Sequence, residues 1–228
     1  DYLENTELGL KTTLMDGNMQ LNITYFTMDW NNYQLEVVDP SNLPCGSAGA
    51  YPAPQCGQPW QKVVANVGEA SSDGLQLETL NAVGDNMEIG FNAQRVTAEL
   101  DEDLSDGSAP AGSRLPQVPE FKANLWMDTA IDTQMMGANE GFFRASVSYT
   151  GDTVSAVQPG SQFTQKSYKS IDLKYGLMGD DWEVNLFINN VSDERADIAV
   201  NDCFFDFFFG NARQYVNRPR EVGVRYVK

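Results

Sequence analysis

The side chains here that can do chemistry are carboxylates, aromatic rings and three cysteines; histidine is absent. Without histidine the commonest general base, the usual nucleophile–base triads and most transition-metal sites are unavailable. The densest acidic run is Asp101-Glu102-Asp103 with Asp106. Hard cations take such oxygen ligands, but the spacing is not that of an EF-hand, so the run reads as a solvated acidic loop. Cys45 and Cys56 enclose a Gly-, Ala- and Pro-rich segment, 46–55. A disulfide is expected there, outside any reducing cytosol. Cys203 is left over, either free or paired beyond these residues. Tyr51 and Trp60 on the first long polar segment are candidate ligand contacts. So are Phe204, Phe205 and Phe207, part of a cluster that continues through Phe208 and Phe209. Exposed aromatics form binding surfaces, and packing within a loop is the competing reading. No credible nucleophile–base set, metal site or cofactor site emerges, so an enzyme is not expected.

The charge narrows the partners. Fifteen basic residues against 32 acidic ones give −17 over 228 residues. Nucleic acid needs a basic patch to neutralise phosphates, and an anionic membrane surface attracts polybasic segments; the balance argues against both. It favours solvated acidic loops, or loops that meet cationic ligands. No run approaches the ~18 apolar residues of a membrane helix. The longest apolar clump, 203–209, is short and contains Asp206. The first residues, Asp1-Tyr2-Leu3-Glu4, have neither the basic start nor the apolar core of a signal peptide, so the chain is expected to be a piece of something longer.

The elements that carry these residues are read from period-two alternation. Met19, Leu21, Ile23 and Tyr25 alternate with Gln20, Asn22 and Thr24. The same pattern runs through Met87, Ile89, Phe91 and Ala93, through Phe121, Ala123, Leu125 and Met127, and through Phe143, Ala145, Val147 and Tyr149. It recurs in Ile171, Leu173, Tyr175 and Leu177, in Trp182, Val184, Leu186 and Ile188, and in Val222, Val224 and Tyr226. Such alternation is what a strand with one apolar and one polar face requires. With weaker runs near 8–15 and 75–80, it predicts about nine strands of ~10 residues or more, long enough to cross a bilayer at a tilt. Short turns at 15–18, 83–86 and 178–181, and a longer one at 132–140, alternate with long polar connections near 39–60, 101–116, 152–166 and 199–217. One end of the sheet therefore carries turns and the other carries loops, the asymmetry of outer-membrane barrels. The predicted fold is all-β: an antiparallel up-and-down transmembrane barrel, present in part. Leu21, Leu173 and Val184 are expected to face lipid, with Asn22, Asp172 and Asn185 facing a wet interior. Tyr25, Phe26, Trp30, Tyr33, Tyr149, Trp182 and Tyr226 near strand ends are expected to form interfacial girdles. Gly176 and Gly223 on the polar face are expected to serve sheet curvature.

Six short motifs, in order, carry a family resemblance. They are Asn5-Thr6-Glu7-Leu8-Gly9, the run 21–26 with Asp29-Trp30, Asn66-Val67-Gly68-Glu69-Ala70 with Gly74-Leu75-Gln76-Leu77-Glu78, Leu115-Pro116-Gln117-Val118-Pro119, the run 182–194, and Arg218-Pro219-Arg220-Glu221-Val222-Gly223-Val224. Together they resemble the C-terminal barrel of TonB-dependent outer-membrane receptors. The resemblance implies the last nine strands of a ~22-stranded, plugged barrel, with the plug domain and TonB box outside residues 1–228. It implies energised uptake of a scarce ligand: a ferric siderophore, cobalamin, haem or carbohydrate. The implied partners are outer-membrane lipid, the TonB–ExbB–ExbD complex acting through the plug, a small-molecule or oligosaccharide ligand, and the barrel-assembly machinery. The family's last strand usually ends in Phe; this chain ends Tyr226-Val227-Lys228, so the natural terminus is expected a couple of residues further on. A passive porin-like channel or a soluble secreted β-sandwich binding module are the alternatives.

Overall fold

The structure is a computed structural model that describes residues 1–38, 62–66, 68–104, 107–159, 162–201 and 213–228. The candidate residues Tyr51, Trp60, Phe204, Phe205 and Phe207, the Cys45–Cys56 pair, Cys203 and Asp106 lie outside them.

The strands in chain order are β1 (Tyr2–Leu14), β2 (Met19–Asn31), β3 (Gln34–Val38), β4 (Lys62–Asn66), β5 (Ala70–Val83), β6 (Met87–Leu100), β7 (Phe121–Ile131), β8 (Glu140–Thr150), β9 (Thr153–Val154), β10 (Thr164–Gln165), β11 (Tyr168–Met178), β12 (Glu183–Asn189), β13 (Asp197–Asn201), β14 (Arg213–Val216) and β15 (Glu221–Val227). Nine of them form one antiparallel meander in the order β1-β2-β5-β6-β7-β8-β11-β12-β15. The other six form two-stranded ribbons, β3/β4, β9/β10 and β13/β14, inside three of the long connections. Polar composition marked those segments as loops; pairing gives them local ladders. β1 and β15 are the two edges of the sheet and do not pair with each other, so these strands alone do not close a barrel.

The short connections gather at one end, as the alternation of turns and loops predicts. Asp16 and Gly17 turn the first with φ of 53° and 99°, conformations that Asp and Gly tolerate. Backbone bonds tie neighbouring turns to the ladder: Ala82 N–H donates to Asn18 O, Ala130 to Asn86 O and Asn139 to Met178 O, each at 2.8 Å.

Strand lengths depart from the expectation of ten or more residues at the end of the chain, where β12 and β15 have 7 each. Asn190 stops β12. It sits at φ 51° and its side chain is committed elsewhere: Nδ2 donates to Glu194 O and Arg218 O, and Oδ1 accepts from Glu194 N–H, all at 2.9 Å. Asp172 Oδ1 accepts the Asn190 backbone N–H at 2.7 Å. On the partner strand, Pro219 brings no amide donor to the ladder just before β15 begins.

The packed core is small and lies at the long-loop end. Phe26, Val96, Ala98 and Leu100 on the polar face of β2 and β6 are covered by Leu104, Ala109 and Leu115 from the 101–120 connection, by Tyr33 and by Val157.

Candidate functional site

Continuous register lets the faces be traced across the whole sheet. Asn22, Glu78, Asn92, Asn124 and Ser148 stand opposite one another in turn, as do Ile23, Leu77, Ala93, Ala123 and Tyr149 on the other face. The apolar face is unbroken through the middle of all nine strands, from Leu8 and Leu10 on β1 to Val222 and Val224 on β15. It is also uncovered. Leu186 is 50% exposed while its neighbour Asn185, on the polar face, is 2% exposed. Leu21 and Leu173 share the outward face with Val184; Asn22 and Asp172 share the other with Asn185. A soluble sandwich requires the reverse. Soluble monomers rarely expose apolar patches beyond a few hundred Å2, and this band spans nine strands. Hydrocarbon is the solvent that stabilises it.

The aromatic girdle is smaller than the sequence suggests. Tyr25, Tyr149 and Tyr226 point outward and are exposed, and Tyr149 lies 6.0 Å from the ring of Phe121. Phe26 is buried on the opposite face, and Trp30 meets Tyr33 edge-on at 4.8 Å beside the loop core. Trp182 covers Gly179 in a turn. Parity decides this: Phe26 and Trp30 fall on the polar rows, so proximity to a strand end does not make them interfacial.

The polar face is the surface available for function. Four of its glycines stand directly opposite an aromatic residue on the next strand: Gly74 opposite Phe26, Gly90 opposite Trp126, Gly176 opposite Phe142 and Gly223 opposite Phe187. Each ring lies where the glycine's Cβ would be; at Gly74 that atom would sit 2.6 Å from Phe26 Cζ. Gly176 and Gly223 thus provide shelves for rings. Sequence reading missed this because the pairs are distant in sequence and appear only once register is fixed.

Charge on this face is ordered as well. Glu88, Asp128, Arg144 and Lys174 stand in one transverse row across β6, β7, β8 and β11, two acids followed by two bases. Like charges directly opposite repel, and the bases resolve this by leaning apart. Arg144 donates from Nε to Asp128 Oδ1 at 2.6 Å and from Nη2 to Oδ2 at 2.5 Å. Lys174 Nζ sits 5.0 Å over the Phe142 ring. Beside the row, Arg144, Asp172, Lys174, Asn185, Phe187 and Arg225 line a hollow of about 460 Å3. Asn185 donates from Nδ2 to Glu183 at 2.5 Å, while its buried Oδ1 has no partner. A second hollow of about 300 Å3 is lined by Gln76, Glu78, Asn92, Gln94, Lys122 and Asn124. These amides and charges supply donors and acceptors in quantity, suited to water or a polar surface. Among the described residues no group of His, Cys, Asp and Glu is arranged to hold a metal. In the acidic run, Asp101 Oδ1 accepts from Ser71 Oγ at 2.6 Å and Asp103 Oδ1 from Ala111 N–H at 2.8 Å, so both serve loop structure.

The long-loop end is cross-braced by Arg114. Its Nη1 meets Asp152 Oδ2 at 2.8 Å, its Nη2 donates to Asp152 O at 3.0 Å and its Nε lies 3.5 Å from Glu120. The Arg114 hydrogen bond holds the Asp152 carboxyl below its usual range. Asp193, in the turn after β12, is likewise lowered, chiefly by the Arg220 backbone N–H that it accepts at 2.8 Å.

An antiparallel meander with an oily outside, a polar inside, turns at one end and loops at the other is the wall of a transmembrane β-barrel. Residues 2–191 match the family model for the TonB dependent receptor-like beta-barrel, and the chain belongs to that family. Among solved structures, FyuA, the ferric yersiniabactin uptake receptor from Yersinia pestis, superposes with a TM-score of 0.75 at 20% identity, over 98% of this chain and 29% of its own. The siderophore receptor PiuA from Acinetobacter baumannii gives 0.66 at 19% identity, over 99% and 28%. The ferripyoverdine receptor of the Pseudomonas aeruginosa outer membrane gives 0.65 at 15%, over 98% and 26%. This chain therefore spans less than a third of the length of each. At such identities the likeness shows the fold. No curated protein matches the sequence. The family and these neighbours are transport receptors, not enzymes, and barrels of this family are outer-membrane proteins.

Proposed function

We propose that residues 1–228 are the C-terminal part of the barrel of an outer-membrane receptor that takes up a ferric siderophore with energy from TonB. The observation that carries the membrane part is the uncovered apolar face across nine strands, set back to back with a polar one. The ligand class draws support from the solved neighbours, which are receptors for ferric yersiniabactin, siderophores and ferripyoverdine. Cobalamin, haem and carbohydrate remain the other ligands such a receptor would take. In this reading the plug and TonB box belong to the rest of the receptor, and TonB–ExbB–ExbD acts through that plug. The loops bearing Tyr51, Trp60, Phe204, Phe205 and Phe207 contact the ligand, and Cys45–Cys56 staples the first of them.

The test is uptake of radiolabelled ferric siderophores by cells that carry the full-length receptor gene as their sole uptake route. Uptake is expected to saturate, to cease in a strain lacking TonB, and to weaken in a Trp60→Ala receptor. Uptake that continues without TonB and never saturates would instead identify a passive channel.

A further inference from the structure

The inner wall is not equally open across the sheet. Over β2 and β6 this chain closes it at the loop end, where Phe26, Val96, Ala98 and Leu100 lie under Leu104, Ala109 and Val157. That cover is tied down: Gly112 N–H donates to Leu100 O at 2.7 Å and Gln117 N–H to Val154 O at 2.9 Å. Over β8, β11 and β12 the wall is hollowed instead. The hollow of about 460 Å3 reaches Asn189, the last residue of β12 before the loops. Another, of about 510 Å3, reaches Met178 at the far end of β11 and the turn at Asn86. Arg144 and Lys174 line both, so the two meet in one furrow that runs from the loop end to the turn end. Its charge is graded along that length. The loop-side hollow sets Arg144, Lys174 and Arg225 against one acid, Asp172, whose Oδ1 already accepts the Asn190 N–H. Arg144 is held by Asp128, whereas no ion pair among the described residues engages Lys174 or Arg225. Phe142, under Lys174 Nζ, and Phe187 add ring surface, and Asn185 adds a buried acceptor without a partner. The turn-side hollow is acidic, with Asp85, Glu88 and Asp128.

We propose that this furrow is the path by which the ligand crosses the barrel, and that the ligand is an anionic complex bearing aromatic rings. This rests on the uptake reading above and adds to it the route and the charge of the cargo. A cleft lined by one sign of charge concentrates the opposite ion, so Lys174 and Arg225 draw an anion in from the loop side. Rings on the ligand meet the Phe142 and Phe187 surfaces beside those cations. Passage also requires that each stop be weak enough to leave. Asp85, Glu88 and Asp128 meet that need by repelling the anion once it nears the turn end. The covered wall over β2 and β6 offers no such line, because its loop-side third is packed apolar core.

The experiment gives cells whose sole uptake route is the full-length receptor two radiolabelled ferric complexes, a tris-catecholate trianion and a neutral trihydroxamate, with rates taken per inserted receptor. The trianion is expected to enter faster. Ser146→Trp, inside the furrow, is expected to lower the maximal rate about tenfold at unchanged half-saturation, while Thr24→Trp on the inner face of β2 stays within about twofold. Lys174→Gln with Arg225→Gln is expected to slow the trianion about tenfold, the low end of electrostatic focusing, and to spare the neutral complex; Lys174→Arg is expected to keep the rate. Equal slowing by the two tryptophans overturns the path. Equal slowing of both complexes by the glutamines, or faster entry of the neutral one, overturns the anionic cargo. A receptor that imports neither complex in a TonB-dependent way overturns the uptake reading beneath both.

Discussion

Arg114 is the residue on which the geometry of the loop end turns. It reaches from the 101–120 connection to both the carboxylate and the carbonyl of Asp152, at 2.8 and 3.0 Å. Asp152 is half exposed, so the pair is screened and modest in strength. Its pH dependence is nonetheless defined in sign. The folded-state value is depressed, so the stabilisation is fully present above the ordinary carboxylate value of about 3.9 and is lost as pH falls through the folded value. The protection of amides in residues 107–118 of the full-length receptor, taken as the exchange rate relative to the intrinsic rate at each pH, is therefore expected to be constant with respect to the pair between pH 7 and 5, and to fall below pH ~4. In Asp152→Asn that acid-induced step disappears, because the ion pair is absent at every pH. A step of equal size in the variant would assign it to other carboxylates.

At the scale of the elements, the glycine–aromatic pairs are distributed by a rule. They join β2 to β5, β6 to β7, β8 to β11 and β12 to β15, the four pairs whose connections are long. The four pairs joined by short turns carry none. A tight turn fixes register by itself, and a long loop does not; a ring seated on a glycine opposite it supplies the missing constraint. Gly90→Val should therefore cost about 1–3 kcal/mol, the range for overpacking, in urea unfolding of the full-length receptor in vesicles. Trp126→Ala in the same chain should recover part of that loss, with a coupling of about 0.5–3 kcal/mol between contacting sites. Additive losses would mean that the ring does not occupy the space above Gly90. Much of this level was legible beforehand. Alternation placed Met87, Ile89 and Phe91 on one face, and Gly and Asp placed the turns, because both signals are local. Register between strands joined by seventeen or more residues is not a local property, so the Gly90–Trp126 pair and the row from Glu88 to Lys174 had no sequence signature, whereas the exit of β12 at Asn189-Asn190 was legible in the run 182–194. The loop aromatics were legible as residue types alone; nothing in their spacing says what they contact.

The whole molecule follows from which solvent each face meets. In water the apolar band would drive the sheet to fold back or aggregate, and its two free edges would add to that tendency. In a bilayer the same band is stabilised while the polar face, with its amides, its charge row and the uncompensated Asn185 Oδ1, looks into the interior. Alternation alone cannot tell these cases apart, since both interleave oily and polar residues. The inverted burial of Asn185 and Leu186 decides between them. Leu125 and Asn124 put the distinction to a direct test. They are neighbours in mid-strand on β7, the first on the apolar face beside Phe91 and Val147, the second on the polar face beside Asn92 and Ser148. Leu125→Arg places a guanidinium in hydrocarbon, which costs about 2–4 kcal/mol near the bilayer midplane. Asn124→Arg meets donors, acceptors and water, and is expected to cost less. Unfolding midpoints of the two variants of the full-length receptor, measured in vesicles of fixed composition, give the comparison. Equal costs, or a larger cost at Asn124, would place the oily face against protein and remove the bilayer from the account of this fold.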